Sequence, residues 1–147
     1  MGATPVGNVH ANGHKILIVD DELGMREGCR RSLERYGYDV HTAENSSEGL
    51  RMLREEPYDL VLVDIIMPGM SGLELLDRIR QQDPKITCLV ITGYAAVNLA
   101  TQAMELGAHD VLAKPFTSDE LLALVQDGLE ERKRRLKGRD SWHSTAN

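Results

Sequence analysis

Three stretches of the chain are apolar without alternation: Lys15-Ile16-Leu17-Ile18-Val19, Leu60-Val61-Leu62-Val63 and Ile86-Thr87-Cys88-Leu89-Val90-Ile91. Runs this short, bounded by turn signals, predict strands buried on both faces, as in a parallel sheet. Tyr38-Asp39-Val40-His41-Thr42-Ala43 alternates instead, which suits a strand nearer the sheet edge, and Asp110-Val111-Leu112-Ala113 makes a last short strand. Between them the period changes to that of helices. Met25, Cys29 and Leu33 share one face, with Arg26, Arg30, Arg31 and Glu34 expected to point to water. Leu50 and Leu53 face inward on a second helix; Leu73, Leu76 and Ile79 do so on a third. Val97, Ala100, Ala103 and Met104 suggest a small-residue helix, with Met104 expected in the core; Leu121, Leu122, Val125 and Leu129 line the last.

The punctuation agrees with this reading. Asn45 with Glu48, and Thr117 with Glu120, have the spacing of capping boxes. Gly37 and Gly107 stand where helices stop, and Pro57 and Asp83-Pro84 close two others. Five strand–helix alternations of this length predict an α/β fold: a single doubly wound five-stranded parallel sheet flanked by five helices, with right-handed crossovers. Residues 1–13, small and polar, read as a disordered leader. Residues 14–134 form the domain, and 135–147 are a helix end followed by a disordered tail from Ser141.

At 147 residues and 41% hydrophobic, the chain is one domain with a sufficient core. Its formal net charge is −6, unevenly placed. Residues 132–139 hold six of the 17 Lys and Arg, so residues 1–131 carry 11 − 22 = −11. An acidic body disfavours direct nucleic-acid binding and suits a site that concentrates cations. Cys29 and Cys88 have neither ligand spacing nor a disulfide framework. No apolar run reaches the ~18 residues of a membrane span, and no signal-peptide core is present. The expectation is a cytoplasmic protein without a membrane anchor.

Four strands end in polar residues: Asp20 and Asp21, Asp64, Thr92, and Lys114. In a parallel sheet these ends share the carboxyl edge, where open α/β sheets bind their ligands. Three gathered carboxylates repel one another unless a cation offsets them, and oxygen-only ligands favour Mg²⁺. One or two carboxylates suffice to hold that ion, which leaves one free to attack phosphorus and form an aspartyl phosphate. A Lys ammonium and a Thr hydroxyl are the donors needed for the remaining phosphoryl oxygens.

The segments Ile18-Val19-Asp20-Asp21-Glu22, Asp64-Ile65-Ile66-Met67-Pro68 with Gly72, Ile91-Thr92-Gly93 and Lys114-Pro115-Phe116 together resemble the response-regulator receiver family. The resemblance implies a flavodoxin-like, chemotaxis-regulator-like fold with strand order 2-1-3-4-5. It also implies phosphoryl transfer from a sensor histidine kinase onto Asp64. Asp21, Asp64 and the Ile66 carbonyl would bind Mg²⁺, with Asp20 acting largely through water. Thr92 would follow the phosphoryl group, Lys114 would pair with its oxygens, and the Lys114–Pro115 bond would be cis. The domain would be a switch that catalyses only its own phosphotransfer and dephosphorylation. Its fourth helix, fifth strand and fifth helix would form the face that controls an output domain, a partner or a homodimer.

The sequence departs from the family in one informative place. Where many receivers carry a rotating aromatic three residues before the Lys, this chain has Val111. Tyr94 is the nearest substitute, and Ile66 and Tyr94 are expected to flank and shield the phosphoryl group. The run Glu130-Glu131-Arg132-Lys133-Arg134-Arg135-Leu136-Lys137 extends the last helix as far as Gly138. It reads either as a solvated helix end or as a signalling helix leading to an output domain or a dimer partner. The competing function is a Mg²⁺-dependent phosphohydrolase with Asp64 as nucleophile. The haloacid dehalogenase pattern needs a second acid two residues later, where Ile66 stands. A docking module that never accepts phosphate is disfavoured by the complete acidic set.

Overall fold

The computed structural model describes residues 13–93 and 97–146. Five strands and five helices alternate: β1 (Lys15–Val19), α1 (Leu23–Glu34), β2 (Asp39–Ala43), α2 (Ser46–Glu55), β3 (Leu60–Asp64), α3 (Gly72–Gln82), β4 (Thr87–Thr92), α4 (Val97–Glu105), β5 (Asp110–Ala113) and α5 (Ser118–Ala146). All pairings are parallel, in the order β2-β1-β3-β4-β5, so the alternating strand is indeed at an edge.

The unalternated runs divide between two cores. Leu17, Val19, Val61, Val63, Cys88 and Val90 point toward α2, α3 and α4, where Leu50, Leu75, Leu76, Ile79 and Ala103 meet them. Ile16, Ile18, Leu60, Leu62, Leu89 and Ile91 point the other way, onto Cys29, Leu33, Leu121, Val125 and Leu129 of α1 and α5. Period-2 geometry sends neighbours to opposite faces, and both faces are covered, so neither can be polar.

The caps form as the spacings predict. Asn45 Oδ1 accepts from Glu48 N at 2.9 Å, although the returning Glu48 carboxylate takes Glu44 N rather than Asn45 N. Thr117 and Glu120 exchange both bonds, at 3.0 and 2.8 Å. Ser71 caps α3 through Glu74 N, a third cap the pattern reading passed over. Gly37 and Gly107 adopt φ of 92° and 102°, the left-handed region a helix stop uses.

Three expectations need correction. Arg26 does not point to water: it is buried, and its guanidinium turns inward to the β1–α1 turn. Met104 is 46% exposed, because Ala103 takes the inward position on α4. The last helix does not end at Gly138 but continues to Ala146. A glycine within a helix costs only ~1 kcal/mol against alanine and ends it only where the backbone turns left-handed. At 29 residues, α5 is about 43 Å long. Beyond Leu129 it is tied to the amino edge of the sheet. Arg132 lies 3.2 Å from Asp59, and Arg132 and Arg135 both donate to the Lys85 carbonyl. Residues 1–12 of the expected leader, Tyr94 and Asn147 lie outside the described residues.

Candidate functional site: a carboxylate cluster at the carboxyl edge

The register sets the site. Asp64 ends β3 opposite Ile91, and Thr92 ends β4 opposite Ala113, one residue before Lys114. Lys114 N donates to the Thr92 carbonyl at 2.7 Å, which locks the ends of β4 and β5 together. The Lys114–Pro115 peptide is cis. One carboxylate oxygen from each of Asp20, Asp21 and Asp64 falls within 4.8 Å of the others. Lys114 Nζ stands 3.7 Å from Asp64 Oδ2.

The three acids differ in surroundings. Asp20 is fully buried: Oδ1 accepts from Glu22 N at 2.9 Å, while Oδ2 has no hydrogen-bond partner among the described residues. Burial raises its pKa to about 6. The charge of Asp64 adds to the rise, and the Glu22 amide and Lys114 oppose it. Asp64 is 6% exposed and accepts from Ile66 N at 3.1 Å. Asp21 is exposed. A buried carboxylate oxygen without a donor, beside two more carboxylates, is the environment a hard divalent cation fits. The donor set is all oxygen.

Thr92 is buried at the strand end, and its hydroxyl donates to the Gly93 carbonyl at 3.2 Å. The Ile66 side chain is 60% exposed at the rim. Val111 is half-buried and packs toward the α4 side of the sheet. The loop from β3 to α3 returns tightly: Gly72 N donates to the Ile65 carbonyl at 3.0 Å. A Cβ at Gly72 would press well inside van der Waals contact of Asp64 O and Ile65 Cα. Glycine is required there by close approach.

Two polar residues near the site were missed by pattern reading. Ser46, buried at the start of α2, donates from its hydroxyl to the Met70 carbonyl at 3.0 Å and holds the β3–α3 loop. Arg26 Nη1 donates to the Asp20 carbonyl at 2.8 Å. Two of the described histidines make structural contacts. His109 pairs with Asp127 at 2.8 Å, and His41 bonds to Asp39 and Tyr58. Burial pushes both cysteine thiols up, Cys29 to about 11 and Cys88 to about 12, so they are inert. No helix among the described residues is long and apolar enough to cross a membrane.

Comparison with known proteins agrees with this geometry. Residues 16–126 match the response regulator receiver domain model. The uncharacterized transcriptional regulatory protein YkoG of Bacillus subtilis is 38% identical over 119 residues, 81% of this chain and 52% of that protein. The C4-dicarboxylate transport transcriptional regulatory protein DctD of Pseudomonas aeruginosa is 38% identical over 125 residues, 85% of this chain and 27% of that one. The chain thus spans about half or less of the length of these curated relatives. A CheY-like receiver domain from Methanospirillum hungatei superposes with a TM-score of 0.80 at 32% identity, covering 84% of this chain and 98% of that one. With the sheet order, the acidic cluster and these relatives in agreement, the chain belongs to the response regulator receiver domain family of two-component signalling.

Proposed function

We propose that Asp64 accepts a phosphoryl group from a sensor histidine kinase, that Mg²⁺ supports the transfer, and that the phosphorylated domain switches an output. The observation that carries this reading is the convergence of the Asp20, Asp21 and Asp64 oxygens within 4.8 Å, with Lys114 Nζ 3.7 Å from Asp64. Asp21, Asp64 and the Ile66 carbonyl would hold the ion, and Asp20 would reach it largely through water. Bound there, the ion supplies positive charge that offsets the carboxylates and the phosphoryl oxygens.

An Asp64 carboxylate oxygen forms the new P–O bond as the P–N bond of phosphohistidine breaks. The electron pair returns to the imidazole, which then takes up a proton. The Lys114 ammonium leaves its carboxylate partner for a phosphoryl oxygen. The Thr92 hydroxyl exchanges the Gly93 carbonyl for another, which draws the β4–α4 loop inward. With Val111 already packed toward α4, no aromatic rotation accompanies this step at that position. The α4–β5–α5 face then changes shape and controls an output domain, a partner or a homodimer, with the extended α5 as the second route to a dimer. The regulatory names of the relatives favour transcription as the output. The acidic body argues against direct nucleic-acid contact by this domain, and cytoplasmic residence fits a kinase-fed switch.

Intact-mass spectrometry after incubation with acetyl phosphate and Mg²⁺ tests the reading. Wild type gains one phosphoryl mass, and Asp64→Asn gains none. A wild-type protein that stays unmodified, or an equal gain in the variant, refutes it.

A further inference from the structure

The turn that carries Asp20 and Asp21 is held by bonds donated from main-chain amides. Asp20 N donates to Ala43 O at 3.2 Å, Glu22 N to Asp20 Oδ1 at 2.9 Å and Arg26 N to Glu22 O at 3.0 Å. The Asp20 carbonyl differs, since the donor it accepts from is a side chain. Arg26 Nη1, from the second turn of α1, reaches back and donates to it at 2.8 Å in a buried setting. That carbonyl belongs to the peptide between the two acids, so its orientation sets where the Asp21 Cα–Cβ bond points. The Asp21 side chain itself has no hydrogen bond or ion pair among the described residues, so its placement depends on the backbone beneath it.

Arg26 is unusual in what it lacks. It is 8% exposed, yet no carboxylate among the described residues lies within ion-pair distance, and a neutral carbonyl is its hydrogen-bonding partner. Burying a guanidinium costs free energy unless it is bonded, and a carbonyl repays less than a carboxylate. Arg30 on the same helix illustrates the cheaper arrangement, between Glu27 and Glu34 near the surface.

We propose that Arg26 is a positioning residue of the cation pocket: it pins the Asp20–Asp21 peptide and thereby presents the two carboxylates to the ion. The inference rests on the Mg²⁺ reading above. It has a sign that separates it from a purely electrostatic role. A fixed positive charge near the pocket repels a divalent cation, so deleting that charge alone would tighten binding. Deleting the tether loosens it.

The test is titration of the metal-free folded protein with MgCl₂ alone, followed by the amide NMR shifts of Asp21 and Glu22, in wild type, Arg26→Met and Arg26→Lys. Urea midpoints without metal report stability separately. Arg26→Met binds Mg²⁺ about tenfold more weakly than wild type, the loss of one charged hydrogen bond. Arg26→Lys, which keeps the charge and a donor but loses the planar fork, falls between them. Should Arg26→Met fail to fold, Arg26→Lys decides alone, with weaker binding expected. Unchanged or tighter binding in either folded variant overturns the proposal, even where the urea midpoint drops. A wild-type protein that does not bind Mg²⁺ overturns the parent reading instead.

Discussion

In the Mg²⁺ pocket proposed above, folding and function make opposite demands on Asp20. Its carboxyl is fully buried with one oxygen unpartnered among the described residues, and its pKa rises from 3.8 to about 6. The folded state therefore holds this proton to higher pH than the unfolded chain does. Stability falls as pH rises between those two values, and above about pH 6 the whole cost of the buried charge is present. A rise of about 2 units corresponds to roughly 3 kcal/mol. Asp20→Asn removes that charge while its amide oxygen still accepts from Glu22 N and its NH₂ faces the Asp64 carboxylate. The variant is thus expected to be more stable than wild type without metal, by about 1–3 kcal/mol near pH 7.5, or on the order of 1 M in urea midpoint. Near pH 4.5 the gain shrinks by about 2 kcal/mol, because wild type is then largely protonated in the folded state. Saturating Mg²⁺ narrows the gap: at about 100 times Kd it adds about 2.7 kcal/mol to wild type and less to the variant. Urea unfolding followed by circular dichroism, at both pH values with EDTA or MgCl₂, measures all of this. A variant less stable than wild type near pH 7.5 without metal, or a gain independent of pH, would refute the reasoning.

Other expectations follow from the same geometry. Gly72→Ala forces a methyl against Asp64 O and Ile65 Cα, both main-chain atoms that cannot yield cheaply. A loss of about 2–4 kcal/mol is expected in urea unfolding, together with slower phosphorylation, and a change under 0.5 kcal/mol would contradict the close-approach argument. If Ile66 at the rim and Tyr94 shield the phosphoryl group from water, Ile66→Asn and Tyr94→Ala shorten the lifetime of phospho-Asp64. Unchanged decay in both variants removes that idea.

The candidate site was legible because its residues stand at strand ends. A short apolar run can only be a buried strand here, and the residue that ends it must emerge at the carboxyl edge. Asp20, Asp21, Asp64, Thr92 and Lys114 could therefore be gathered in advance, and the structure brings them to one edge. Arg26 was misplaced because charge was read before spacing. Residues 26, 29 and 33, spaced i, i+3, i+7, share a helix face as well as 25, 29 and 33, spaced i, i+4, i+8, and Arg26, Cys29 and Leu33 are the buried residues of α1. Leu75 was passed over on α3 for a similar reason, because a stripe drawn through Leu73, Leu76 and Ile79 is narrower than the face the helix buries.

By itself the sequence determined the alternation of elements, the parallel sheet and the polar residues that end its strands, because period, caps and strand-end polarity are local properties. The tertiary structure decided which oxygens lie within 4.8 Å, which of the three acids keeps a buried oxygen without a partner among the described residues, and that a carbonyl rather than water receives Arg26. It also decided that α5 runs past Gly138, lashed to Asp59 and Lys85 at the far edge of the sheet. Those outcomes depend on contacts between segments distant in sequence, which a local pattern does not encode.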